Sequence, residues 1–165
     1  MSSSTPEHWT AAVITVSDSS SSNLREDLSG PAVVSVLEQK QFQVVARETV
    51  PDDQTAIETV LLRLCSQARF VVTTGGTGIA VRDVTPEATV SICEKLVPGI
   101  AERMRTEGAQ KTKLAALSRA VCGTRGQSLI LNLPGSPKGA VESLEAVIDL
   151  VPHALKLLGG DTRHS

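Results

Sequence analysis

Apolar positions in this chain fall into short runs separated by clusters of Gly, Pro, Ser and Asp, and the period changes from run to run. Ala11-Ala12-Val13-Ile14-Thr15-Val16 is β-branched and apolar without alternation, the pattern of a strand covered on both faces. Ser17 to Ser29 reads as a polar loop. Gly30-Pro31 then opens a helix with Pro31 at its first position, where a missing N–H costs nothing, and Val33, Val34 and Leu37 form its stripe. A second strand is predicted at Gln43 to Thr49. Ile57, Val60, Leu61 and Leu64 follow at i, i+3, i+4 and i+7, which predicts a helix. Arg69 to Thr74 is a third strand. Thr85-Pro86-Glu87 reads as N-cap, first-position proline and first-turn acid, so a helix is expected from Pro86 to about Leu96. The segment from Pro98 to Cys122 is mixed, with short helices expected at Ile100–Glu107 and Leu114–Leu117. Ser128 to Asn132 is a fourth strand, and Leu144, Val147, Ile148 and Val151 mark a last helix that Pro152 should kink or restart.

Strands alternating with helices at these lengths predict an α/β fold: three layers, a mostly parallel sheet with helices on both faces. Ligands of such sheets bind beyond the carboxyl ends of the strands. Four loops follow the four strands there: Ser17-Asp18, Pro51-Asp52, Gly75 to Asp83, and Asn132 to Lys138.

Composition narrows what those loops can do. A length of 165 residues fits one domain, expected at 8–158, with flexible tails at 1–7 and 159–165. A net charge of −2 gives no general reason to bind nucleic acid or acidic membranes. Aromatic residues are 2% of the chain (Trp9, Phe42 and Phe70), which disfavours ring-stacking platforms. No signal-peptide pattern or membrane-length apolar run is visible, so a cytoplasmic protein is expected. Cys65, Cys93 and Cys122 are too widely spaced for a zinc knuckle or a CxxC motif and read as small core residues. No histidine lies in any of the four loops, which leaves Ser-His and Cys-His catalysis without a base.

Thr74-Gly75-Gly76-Thr77-Gly78 can aim successive backbone N–H groups at an anion, although a tight strand-to-helix turn needs the same glycines. Val81 replaces the third glycine of a dinucleotide fingerprint, and no Gly-Lys-Ser/Thr closes a P-loop. Asp52, Asp53 and Asp83 each precede a helix, so each could be a cap. Two loop aspartates beside an anion loop also fit a Mg²⁺–phosphate site, because Mg²⁺ uses one or two carboxylates plus substrate phosphates. Lys138, in the loop Pro134-Gly135-Ser136-Pro137-Lys138, fits a phosphate contact and an ordinary surface lysine equally.

Taken in order, Val16-Ser17-Asp18, Leu28-Ser29-Gly30-Pro31, Val50-Pro51-Asp52, Thr73 to Gly78, Arg82-Asp83-Val84-Thr85-Pro86-Glu87-Ala88-Thr89, Leu117-Ser118-Arg119 and Asn132 to Lys138 form a recognisable set. With them the chain resembles the stand-alone molybdopterin adenylyltransferase family of molybdenum-cofactor biosynthesis, over residues 11 to 158. The resemblance implies transfer of AMP from Mg-ATP to the terminal phosphate of molybdopterin, with pyrophosphate released. It implies that Asp52 and Asp83 are catalytic and organise Mg²⁺. It further implies that Thr74, Gly75, Gly76, Thr77 and Gly78 hold the phosphates, and that Ser17, Asp18, Pro134, Gly135, Ser136 and Lys138 form other edges of the pocket. Family members are cytoplasmic homotrimers, sometimes hexamers, and their product passes to a separate metal-inserting molybdenumtransferase. The family also contains similar paralogues without the activity, so a non-catalytic molybdopterin-binding carrier or assembly partner is the alternative.

Overall fold

The computed structural model describes residues 8–23 and 26–162, and of Ser21 the backbone alone. Its centre is a six-stranded sheet in the order β2-β1-β3-β6-β5-β4. β1 (Thr10–Val16), β2 (Gln43–Val50), β3 (Phe70–Thr74) and β6 (Ser128–Leu133) pair in parallel. β5 (Cys122–Arg125) runs antiparallel to β6, and the two-residue β4 (Lys95–Leu96) antiparallel to β5. These last two strands are absent from the sequence expectation. Each is too short or too glycine-interrupted to carry a period.

The unbroken apolar run of β1 divides with the pleat, since successive side chains point to opposite faces. Ala11 and Val13 join the core under α2 (Ser29–Gln39), α5 (Pro98–Ala109), α6 (Pro137–Val147) and α7 (Val151–Leu158). Ala12, Ile14 and Val16 join the core under α3 (Gln54–Cys65) and α4 (Thr85–Ile92). The expected stripe of α3 is the packed one: Ile57, Leu61 and Leu64 are fully buried. Pro152 lies in the first turn of α7, after the 3-10 turn Ile148–Leu150, so the last helix restarts there.

Three helix starts differ from expectation for the same reason, namely that polar side chains made tertiary or local bonds. The expected loop after β1 contains α1 (Asp18–Ser21), whose Ser20 N–H donates to the Ser17 hydroxyl. α2 begins at Ser29 rather than with Pro31 at its first position, because Asp27 accepts the Gly30 N–H at 2.9 Å and satisfies that end. Thr85 is not the N-cap of α4: it lies inside the helix, and its buried hydroxyl donates to the Gly75 carbonyl at 3.0 Å. α4 also stops at Ile92, because Cys93 is extended and the chain turns into β4.

At the other end of the chain, Gly159 and Asp161 N–H groups donate to Leu155 and Lys156 carbonyls and close α7. Residues 1–7 and 163–165 of the expected tails lie outside the described residues. Among the described residues, no helix is long and apolar enough to cross a membrane.

Candidate active site

Consecutive strands β1 and β2 are neighbours, whereas β3 lies on the other side of β1. The connecting helices α2 and α3 therefore leave in opposite directions and open a crevice at the carboxyl ends of β1 and β3. A cleft of about 380 Å³ fills that position. Ser17, Asp52, Thr74, Gly75, Gly76, Asp83, Gly135 and Ser136 line it, so all four expected loops converge there. All three aromatic side chains lie elsewhere. Phe42 and Phe70 pack ring to ring at 5.5 Å in the core, and Trp9 lies under the Arg69 guanidinium.

The backbone around the cleft is tightly set. The Asp18 N–H donates to Asp52 Oδ2 at 3.0 Å, and the Asp52 N–H donates to Asp18 Oδ1 at 2.8 Å. This reciprocal pair ties the loop after β1 to the loop after β2. Asp53, not Asp52, caps α3, since it accepts the Ala56 N–H at 2.8 Å. Asp52 is thereby left to face the cleft. Gly75 and Gly76 adopt φ of +95° and +69°, which disfavour any side chain. A Cβ on Gly75 would overlap the Val16 carbonyl, and one on Gly76 would overlap the Thr85 hydroxyl and lie 3.2 Å from Asp52 Oδ1. Close backbone approach is therefore a requirement of the turn itself. Thr74 is buried in the floor, its hydroxyl 2.9 Å from that of Ser29.

Asp83 is held by a local turn: the Ala80 N–H donates to its Oδ2 at 3.0 Å, and its own N–H donates to the Ala80 carbonyl at 2.9 Å. Burial pushes the Asp52 carboxyl above the usual aspartate range. The charges of Asp18 and Asp83 add to this, and the Asp18 N–H and the Arg82 guanidinium oppose it. The charge of Asp83 thus reaches Asp52 within the same cleft. The lining carries four carboxylates (Glu26, Asp27, Asp52 and Asp83) against one cation, Arg82.

Some expected residues fall elsewhere. Thr77, Gly78 and Pro134 line a second cleft of about 450 Å³ between α5, the 3-10 turn Lys113–Leu117 and α6. Ser136 borders both clefts and caps α6 by accepting the Gly139 N–H. Lys138 is exposed on α6 and lines neither cleft, so the structure does not bring it to the site. Asp18 reaches the cleft through Asp52 rather than by lining it.

Sequence reasoning overlooked Asp27, whose carboxylate takes the Gly30 N–H, the Thr15 hydroxyl and Arg47 beneath the cleft rim. Its signal was available: an acid three residues ahead of the glycine of a Gly-Pro helix start can accept that glycine's N–H, whose own helix offers it no partner. Thiol chemistry is absent from the site. Burial pushes Cys65 and Cys93 up to about 11 and Cys122 up to about 12, and none of the three lines either cleft.

Residues 12–153 match the family described as the probable molybdopterin binding domain. The molybdopterin adenylyltransferase of Helicobacter pylori strain 26695 is 43% identical over 153 residues, covering 90% of this chain and 87% of that protein. The crystal structure of the molybdopterin biosynthesis enzyme MoaB from Thermus thermophilus superposes with a TM-score of 0.87 at 49% identity, over 92% of this chain and 97% of that one. The molybdopterin biosynthesis Mog protein of Mycobacterium ulcerans gives 0.86 at 36% identity, over 93% and 99%.

Proposed function

We propose a reaction from the premise that this chain belongs to the molybdopterin-binding domain family. It is a nucleotidyltransferase of molybdenum-cofactor biosynthesis, a molybdopterin adenylyltransferase. The terminal phosphate of molybdopterin attacks the α-phosphorus of ATP. A new P–O bond forms, the bond to the β-bridging oxygen breaks, and pyrophosphate leaves. The attacking oxygen is already anionic, so no protein nucleophile or histidine base is required. Alignment and charge stabilisation are what remain for the protein to supply.

The observation that carries this reading is the placement of Asp52 and Asp83 in one cleft beside the Gly75-Gly76 turn. A lining of four carboxylates and one arginine repels a polyphosphate unless a cation intervenes. Among the described residues no group of three or more His, Cys, Asp or Glu could hold a metal by itself. A pair of carboxylates completed by substrate phosphates is the arrangement Mg²⁺ accepts, so the donor set fits. Asp52 and Asp83 would hold Mg²⁺, which when bound supplies neutralisation of the phosphate charge. The Gly75–Gly78 backbone orients the phosphates, Ser17 and Ser136 border them, and Asp18 fixes Asp52. Two clefts that share Ser136, with the glycine loop contributing to both, support a reading in which the two substrates bind on either side of that loop.

The same reading makes the protein cytoplasmic and a homotrimer, with its product handed to a metal-inserting molybdenumtransferase. Ile79, Val81, Leu114 and Leu117, more than half exposed near the clefts, supply apolar surface for self-association, which light scattering of the purified protein measures. The test of function is incubation with molybdopterin, ATP and Mg²⁺. Adenylylated molybdopterin and pyrophosphate are expected in equal amounts. Binding of molybdopterin without AMP transfer would replace the enzyme with a carrier.

A further inference from the structure

Leu117-Ser118-Arg119 stands out in the sequence, yet the reaction above gives it no part. Arg119 follows the 3-10 turn Lys113–Leu117, and its contacts all run to one segment and the helix after it. Its backbone N–H donates to the Thr77 carbonyl at 2.8 Å. Its Nε donates to the Gly78 carbonyl and its Nη2 to the Asp83 carbonyl, both at 2.8 Å. Its Nη1 reaches the Glu87 carboxylate at 2.6 and 3.2 Å.

From this geometry we infer that Arg119 is a positioning residue for the transfer, a brace that fixes both ends of the 78–83 turn and so sets the Asp83 carboxylate against the glycine loop. The inference rests on the reading that Asp83 serves the reaction. Between the braced ends the turn closes on itself through the Ala80 and Asp83 bonds. A Cβ on Gly78 would lie 2.8 Å from Asp83 Oδ2, so the carboxylate rests directly over the glycine backbone. A shift of either end therefore moves the carboxylate.

Glu87 takes the third guanidinium nitrogen, Nη1, so all three nitrogens are engaged by protein groups. Arg119 therefore contributes rigid donors rather than a free charge for substrate, unlike Arg82 in the cleft lining. Three donor directions from one plane are a property of arginine that a lysine ammonium on a flexible stem does not reproduce.

The experiment compares Arg119→Ala, Arg119→Lys, Glu87→Ala and Asp83→Asn, with Arg119→Ala also made in the Asp83→Asn background. Misplacement of a reacting group by an ångström lowers rates on the order of 100-fold, so Arg119→Ala should lower kcat by roughly 10- to 100-fold while KM for ATP stays near wild type. Arg119→Lys should recover little of the loss. Glu87→Ala removes the ion pair but leaves both carbonyl contacts, so its kcat should stay near wild type. In the Asp83→Asn background, Arg119→Ala should reduce kcat no further. A wild-type kcat in Arg119→Ala, an equal loss in Glu87→Ala, or additive losses with Asp83→Asn would each overturn the brace.

Amide hydrogen exchange across 78–83 gives a readout that does not depend on the reaction. Faster exchange is expected in Arg119→Ala and not in Glu87→Ala, and unchanged exchange in Arg119→Ala would overturn the inference. A wild-type protein that makes no product would instead remove the adenylylation reading and leave the brace to be judged on exchange.

Discussion

Replacing Gly76 with Ala tests how far the fold and the site depend on one backbone turn. With φ at +69°, an alanine there takes the left-handed region, at a cost of about 1–2 kcal/mol. Lower entropy of the unfolded chain returns about 0.4–1 kcal/mol of that. The added methyl also overlaps the hydroxyl of Thr85, which is fully buried and bonded to Gly75, so it cannot swing away freely. Overpacking of this kind costs about 1–3 kcal/mol, and the net destabilisation should be roughly 1–4.5 kcal/mol. Gly126→Ala is the control: its φ is +56° but nothing lies within 4 Å of the new methyl. The control should lose no more than about 1.6 kcal/mol. Urea unfolding of both variants reads the difference. Thr85→Ala removes the clashing hydroxyl, so in that background the Gly76→Ala penalty should shrink by about 1 kcal/mol or more. Equal penalties for Gly76→Ala and Gly126→Ala, or a Gly76→Ala penalty indifferent to Thr85, would refute the reasoning.

Asp52 and Asp27 should show opposite dependences on pH. The folded state raises the Asp52 carboxyl through burial and the neighbouring Asp18 and Asp83 charges. Its contribution is therefore complete below the unfolded pKa and is lost as pH rises through the folded one, leaving the ionised group a net cost at neutral pH. Asp52→Asn should melt higher than wild type at neutral pH, lose that advantage in acid, and fail in adenylylation; a lower melting temperature at pH 7 would count against this. At Asp27, burial works in the raising direction, but the Gly30 N–H, the Thr15 hydroxyl and Arg47 outweigh it and hold the carboxyl below its usual range. That stability is present above the unfolded pKa and disappears as pH falls through the folded value. Asp27→Ala should lose about 1–3 kcal/mol at pH 7, with the difference from wild type narrowing in acid. A constant difference across pH would show that only packing was removed.

Much of this molecule is legible from spacing. The run Ala11–Val16 with no alternation implied cover on both faces, and its side chains do divide between two cores. Loops after parallel strands must share an edge, so the convergence of Asp52, Gly75, Asp83 and Ser136 followed from strand order. Local rules failed where a distant partner competed for the same polar atom. Thr85 has an N-cap composition, yet its hydroxyl goes to Gly75, ten residues away. Arg119 meets Asp83 across 36 residues, a pairing that no period encodes. Lys138 stands apart for a geometric reason: just inside α6, it is exposed and lines neither cleft, while Ser136 takes the cap.

The central claim, that Asp52 and Asp83 organise an AMP transfer in this cleft, is tested most directly by one comparison. Single-turnover formation of adenylylated molybdopterin from ATP and Mg²⁺ is measured for wild type and Asp83→Asn, with matched circular dichroism. The account expects product and pyrophosphate from the wild type and a loss on the order of 100-fold or more in the folded variant. Wild-type rates in folded Asp83→Asn would contradict it.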